Sequence, residues 1–175
     1  MTIAAWHEEP ISKSHDRKGF DCGDAQLNEF LIKYARQSHE SGSAKTFCAI
    51  DDAQPGKILG FYSITPAQLD HGRVPGGLRK DLPRHDVGGF RLARLATDLG
   101  VQGQGLGGQL LGAAARRAIL AATEVGGSIL VIDAKNDRAA NWYASYGGVR
   151  LDDAPLTLVM SLSTFAAELK ARGNL

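Results

Sequence analysis

The chain has 175 residues, 43% of them apolar and 22% charged, with a formal net charge of +1. That suits one domain over residues 1–175 with a core of its own, and it gives no global reason for attraction to nucleic acid or membrane. No stretch reaches the ~20 apolar residues of a spanning helix, and Met1 to Pro10 lacks the basic and apolar regions of a secretory signal.

In chain order, Asp24 caps a helix whose Leu27, Phe30, Leu31, Tyr34 and Ala35 form one apolar stripe. The polar tract His39 to Ser43 ends it. Thr46 to Ile50 and Ile58 to Thr65 read as antiparallel strands around a turn at Pro55-Gly56, the second stopped by Pro66. Residues 70–89 read as a long irregular segment, and segments of that length inside a domain are usually functional. Phe90 to Thr97 reads as a strand. Leu106, Leu110, Leu111, Ala114, Ala115, Ala118, Ile119 and Ala122 then make a helical face, closed by Gly126-Gly127. Ser128 to Ile132 is an apolar strand of the kind covered on both faces. A short helix starts at Asn136 or Asp137 and stops at Gly147-Gly148. Val149 to Leu151 and Thr157 to Ser161 pair as final strands, and Ser163 caps a last helix. The strand–glycine turn–helix–strand order is a right-handed βαβ unit flanked by hairpins. The fold class is therefore α+β, with a mixed, mostly antiparallel central sheet.

Glycine makes up 21 of 175 residues, well above the usual ~7%. Four of them fall in Gln102-Gly103-Gln104-Gly105-Leu106-Gly107-Gly108. Glycines there let backbone amides approach a ligand, and the helix start adds free N–H groups and the positive dipole end, so the turn reads as a phosphate cradle. A nucleotide P-loop is excluded, because the turn lacks the lysine and hydroxyl of that motif. Gly103, Gly105 and Gly108 do satisfy the dinucleotide pattern, with Asp133 where a ribose-binding acid would stand. The chain behind Gly108 is too short for the rest of such a domain.

Gln102-x-x-Gly105-x-Gly107 resembles the pyrophosphate loop of the GNAT N-acetyltransferases. Asn136-x-x-Ala139-x-x-Trp142-Tyr143-x-x-x-Gly147 follows where that family has its second element. The Phe20-Asp21-Cys22-Gly23 segment with Leu27, Phe30 and Leu31, the run Leu59 to Ser63, and Ala93 to Ala96 are similar to the GNAT toxins of bacterial toxin–antitoxin systems. The resemblance implies an α/β/α-type layered fold, acetyl-coenzyme A as co-substrate and aminoacyl-tRNA as acceptor. It also implies a ribbon-helix-helix antitoxin as partner and a homodimer. Gly148 departs from the family, which usually has Phe there.

Acetyl transfer to an amine needs a neutral nucleophile, orientation, an oxyanion donor and a proton for the departing thiolate. The resemblance places the oxyanion donor on the backbone of Leu95, Ala96 and Thr97, and the cofactor along Gln102 to Gly108 with Trp142 close by. It makes Tyr143 the general acid, with Tyr146 the alternative. Asn136 either bonds the pantetheine arm or merely caps its helix. No side chain stands out as general base. Cys22 and Cys48 lack metal or redox spacing and fit a reduced, cytoplasmic protein, and the five histidines show no ligand pattern, so no metal is expected. Arg73, Arg79, Lys80, Arg84, Arg91 and Arg94 outnumber Asp70, Asp81 and Asp86 in the segment before the turn. They form either a solvated loop or a phosphate-binding rim for tRNA. A small-molecule amine or a protein N-terminus is the alternative acceptor, and a non-catalytic binding module the third reading.

Overall fold

Seven strands make one mixed sheet in the order β1-β2-β3-β4-β5-β7-β6 in this computed structural model, which describes residues 2–80, 82–171 and 173. The strands are β1 (Trp6–Pro10), β2 (Lys45–Asp51), β3 (Ile58–Asp70), β4 (Asp86–Thr97), β5 (Ile129–Asp133), β6 (Val149–Arg150) and β7 (Thr157–Ser161). Among the registers described for these strands, β4 and β5 run parallel while β1–β2, β2–β3, β5–β7 and β6–β7 run antiparallel. The chain forms two compact units, residues 1–65 with 93–113 and residues 66–92 with 114–175.

In the first unit, helices α1 (Ala25–Glu29) and α2 (Ala35–Ser41) are joined by one π-turn, Phe30–Tyr34. The Ala35 amide donates to the Phe30 carbonyl, five residues back, so the turn holds one extra residue. This rotates the stripe expected from sequence. Phe30, Leu31 and Ala35 are buried with Phe20, Cys48, Ile50 and Phe61, whereas Tyr34 is 52% exposed. The edge strand β1 carries too few apolar residues to be legible. It is held by hydrogen bonds instead: the Tyr62 hydroxyl donates to Glu8, and Glu9 binds His7 and the buried His15.

Strand β3 continues past Pro66, against expectation. Its pairing with β2 ends at Ile64, so the donor that proline lacks falls where β2 offers no partner. Strand β4 likewise starts at Asp86, earlier than the sequence suggests. Gly88 and Gly89 look like loop residues, but a Cβ on Gly89 would lie 2.0 Å from the Ile129 carbonyl oxygen, and glycine is what lets β4 approach β5. The irregular segment is correspondingly shorter and holds two single 3-10 turns, His71–Arg73 and Gly76–Leu78.

In the second unit, Ile129, Val131 and Val159 pack with Leu69, Val74, Val87 and Leu151. Helix α3 (Leu106–Val125) begins in the first unit and ends in the second, with Leu106, Leu110, Leu111, Ala114, Ala115, Ala118 and Ile119 buried as expected. Helix α4 (Asp137–Ser145) follows β5. Helix α5 (Leu162–Ala171) starts one residue before Ser163, so Ser163 sits in its first turn and does not cap it. The Leu162 amide donates to the Ser128 carbonyl.

Candidate active site

The turn between β4 and α3 is built on positive-φ glycines. Gly103 has φ +79° and Gly105 φ +90°, a region that costs an L-residue about 1–2 kcal/mol. Both are exposed, with nothing within 4 Å of a built Cβ, so these two are glycines for conformation and not for lack of room. Gly60 is the opposite case. A Cβ there would meet Leu110 Cδ1 at 2.8 Å, the Ala96 carbonyl oxygen at 2.9 Å and Leu106 Cδ2 at 3.2 Å. Its bare backbone lets the first turns of α3 settle beside the end of β4.

The backbone amides of Gly103, Gln104, Gly105, Leu106, Gly107 and Gly108 donate to no described residue; internal bonding resumes with Gln109, whose amide donates to the Gly105 carbonyl. Six amides with no described acceptor at the start of a helix of 20 residues are the kind of donor set that binds an anion. A buried turn could not leave that many donors unmet, but these residues are exposed or half-buried except Leu106. The donor set fits a diphosphate. Among the described residues no group of three or more His, Cys, Asp or Glu could hold a metal ion.

Gln102 does something different from its neighbours. Its Nε2 donates to the Thr97 carbonyl at 2.9 Å and to the Cys22 carbonyl at 3.0 Å, so both amide hydrogens are spent within the protein. Leu95, Ala96 and Thr97 form the end of β4 that leads into the turn, with Ala96 buried.

In the second unit, Asn136 caps α4. Its Oδ1 accepts the Ala139 amide at 2.9 Å, a bond worth about 1 kcal/mol. Arg150 braces the same helix through Asp137 at 2.9 Å and Asn141 at 2.7 Å. Trp142 stands edge-on to both Tyr143 and Tyr146, with ring centroids 4.9 and 5.0 Å apart. The two tyrosines differ in setting: Tyr143 is 5% exposed and Tyr146 47%. No described residue hydrogen-bonds the Tyr143 hydroxyl. Burial, and secondarily the Asp133 carboxylate, hold it above the ordinary phenol pKa, so it keeps its proton at neutral pH. Asp133 itself is paired with Arg91 at 2.6 Å. Gly148 closes α4 against β7. A Cβ there would press on the Tyr143 carbonyl and on Leu158, each at 3.1 Å, so the missing aromatic leaves the backbone packed directly on the helix end.

The basic residues do not act as one group. Arg73 pairs with Asp153 at 2.7 Å, and Arg79 donates to the carbonyls of Val74 and Gly72. Arg91 is held by Asp133, and Arg94 lies 3.8 Å over the Phe30 ring. Lys80 and Arg84 are exposed and make no hydrogen bond or ion pair with a described residue. Asp81 lies outside the described residues.

No family model matches the chain. It is 31% identical over 150 residues to the tRNA-acetylating toxin of Mycobacterium tuberculosis, covering 86% of this chain and 88% of that one. A crystal structure of a KacT mutant superposes with a TM-score of 0.87 at 27% identity, covering 93% of this chain and 98% of that one. AtaT complexed with acetyl-methionyl-tRNAfMet shares the fold, with a TM-score of 0.87 at 24% identity over 94% of this chain and 99% of that one. With the amide-lined turn on β4–α3, the mixed sheet and this likeness, the chain belongs to the family of GNAT-fold tRNA-acetylating toxins.

Proposed function

We propose that this chain is the toxin of a toxin–antitoxin pair, and that it transfers the acetyl group of acetyl-coenzyme A to the α-amine of aminoacyl-tRNA. The observation that carries the reading is the run of six amides from Gly103 to Gly108 that donate to no described residue, which suits the diphosphate of the co-substrate. The reading draws its acceptor from the M. tuberculosis relative, named as a tRNA-acetylating toxin.

Each residue then has a bounded task. The amides of Gly103 to Gly108 bind the diphosphate, and Trp142 flanks the Tyr143 ring. The backbone of Leu95 to Thr97 supplies the oxyanion donor. Asn136 serves chiefly as the cap that sets the start of α4. The acceptor amine, with an ordinary α-amine pKa of about 7.7–8.0, attacks unassisted near neutral pH. Its nitrogen bonds to the acetyl carbon, the carbon–sulfur bond breaks, and the Tyr143 hydroxyl gives its proton to the sulfur; the nitrogen sheds its extra proton to water, and water returns one to the Tyr143 phenolate. A phenol held above its ordinary pKa is protonated when that step arrives.

Of the six basic residues before the turn, Lys80 and Arg84, which pair with no described residue, are the ones that would meet tRNA phosphates, and Arg73, Arg79, Arg91 and Arg94 serve the fold first. The chain acts as a single catalytic domain in the cytoplasm, as a homodimer, neutralised by a ribbon-helix-helix antitoxin. Expression in a bacterial host tests the reading. Wild-type protein should arrest growth and Tyr143→Phe should relieve the arrest at equal protein level. Arrest that persists in the variant would contradict it.

A further inference from the structure

The unspent amides can bind an anion only if the chain leading into them is fixed, and that chain is exposed: Leu99 and Gly100 both lie on the surface. What fixes it comes from 77 residues earlier. One Asp98 carboxylate oxygen accepts the Asp21 amide at 3.0 Å, and the other accepts the Gly100 amide at 2.9 Å. The Leu99 amide donates to the Asp21 carbonyl at 2.8 Å, and the Gln102 side chain to the Cys22 carbonyl at 3.0 Å. The Asp21–Gly23 turn is itself tied down. Asp21 Oδ1 accepts from the Gly23 amide and from Asn28 Nδ2, while Asn28 Oδ1 accepts the Cys22 amide at 2.9 Å. Gly23, at φ +83°, lies so close that a Cβ would be 3.2 Å from Leu99 Cδ2. Three hydrogen bonds thus join two short segments, and every side-chain member of the network sits in the first unit.

We propose that Asp98 is a positioning residue of the co-substrate site: with Gln102 it fastens the turn after β4 to the Asp21–Gly23 bracket, and the bracket sets the direction of the amides from Gly103 to Gly108. This rests on the reading of that turn as the acetyl-coenzyme A diphosphate site. Asp98 touches neither the amides nor a reacting atom. It acts by restricting the turn before the ligand arrives, so that binding need not order it. Removing the carboxylate leaves the Asp21 and Gly100 amides without their acceptor and frees the turn to sample other directions. The loss then falls on affinity for the co-substrate and not on the chemical step. A residue that served only to stabilise the fold would lower the melting temperature and leave the affinity of the folded protein as it was.

The test is calorimetric titration of acetyl-coenzyme A into full-length wild type, Asp98→Ala, Asp98→Asn and Asn28→Ala. Circular dichroism fixes a temperature at which each is folded. Asp98→Ala should raise Kd on the order of tenfold, Asn28→Ala a few-fold, and Asp98→Asn, which keeps one acceptor oxygen, less than alanine. With co-substrate saturating, kcat should stay within about twofold of wild type. If Asp98→Ala does not fold, Asp98→Asn decides the matter with the same readout. A Kd within about twofold of wild type in the folded variants overturns the bracket and leaves the co-substrate reading standing. Wild-type protein that binds no acetyl-coenzyme A overturns both.

Discussion

The glycine turn and the basic segment before it are both rich in potential donors to phosphate, yet they use them in opposite ways. Across Gly103 to Gly108 none of the six amides donates to a described residue. Among the six basic side chains from Arg73 to Arg94, four are engaged by an aspartate, a backbone carbonyl or an aromatic ring. Counting charges makes the basic segment look like the stronger phosphate site, and counting unspent donors reverses that order. A functional surface is better recognised by what the fold leaves unpaired than by what the sequence supplies.

The largest effect that sharpens this contrast lies outside both regions. Tyr143→Phe removes the hydroxyl proposed as proton donor and keeps the ring, so kcat should fall about 10²–10⁴-fold, the usual worth of a positioned acid. Acetyl-coenzyme A affinity should be unchanged by calorimetry, and a fall in affinity matching the fall in kcat would make Tyr143 a binding residue. Next comes the turn itself. Gly105→Ala adds a Cβ to open space but to a backbone at φ +90°, so the cost is conformational, about 1–2 kcal/mol. Co-substrate Kd should rise roughly tenfold as the turn relaxes, and unchanged affinity would mean that the amides do not hold the diphosphate.

The basic segment separates into two classes on the same logic. Replacing Lys80 and Arg84 with alanine should weaken tRNA binding and flatten its salt dependence by about one unit of slope per residue, with the melting temperature unchanged. Arg79→Ala should instead destabilise the protein by about 1 kcal/mol, because two backbone carbonyls lose their donor. If Arg79 moves the salt slope as much as Lys80 does, the division between spent and unspent cations is wrong. The smallest expected effect is in pH. Activity should rise through the acceptor amine's ionisation near about 7.7–8.0. No alkaline fall should follow up to about pH 9, because burial holds the Tyr143 phenol above its ordinary value and it stays protonated there. A descending limb in that range would assign the acid to a more exposed group such as Tyr146.

Much of this was legible in the sequence for reasons that can be named. The βαβ unit declares itself because Ile129 to Ile132 is buried throughout and α3 repeats its apolar face without interruption. The turn declares itself because positive φ at Gly103 and Gly105 demands glycine. What stayed hidden depended on partners distant in the chain. Strand β1 is polar and is recognisable only beside β2 and Tyr62. Pro66 reads as a stop unless β2 is known to end at Ile64. Tyr34 leaves the apolar stripe because of one π-turn. The sequence shows Gln102 as part of the glycine turn but not that its side-chain amide donates to the Thr97 and Cys22 carbonyls, the second of them 80 residues earlier. Asp98 carried no signal at all, since its partner Asp21 lies far back in the chain.

The central claim is the reaction and its acceptor. The most direct measurement is mass spectrometry of charged tRNAs after incubation with this protein and isotopically labelled acetyl-coenzyme A. The account predicts one labelled acetyl group on the amino-acid moiety of at least one aminoacyl-tRNA, absent with Tyr143→Phe. A complete set of charged tRNAs carrying no label would contradict it.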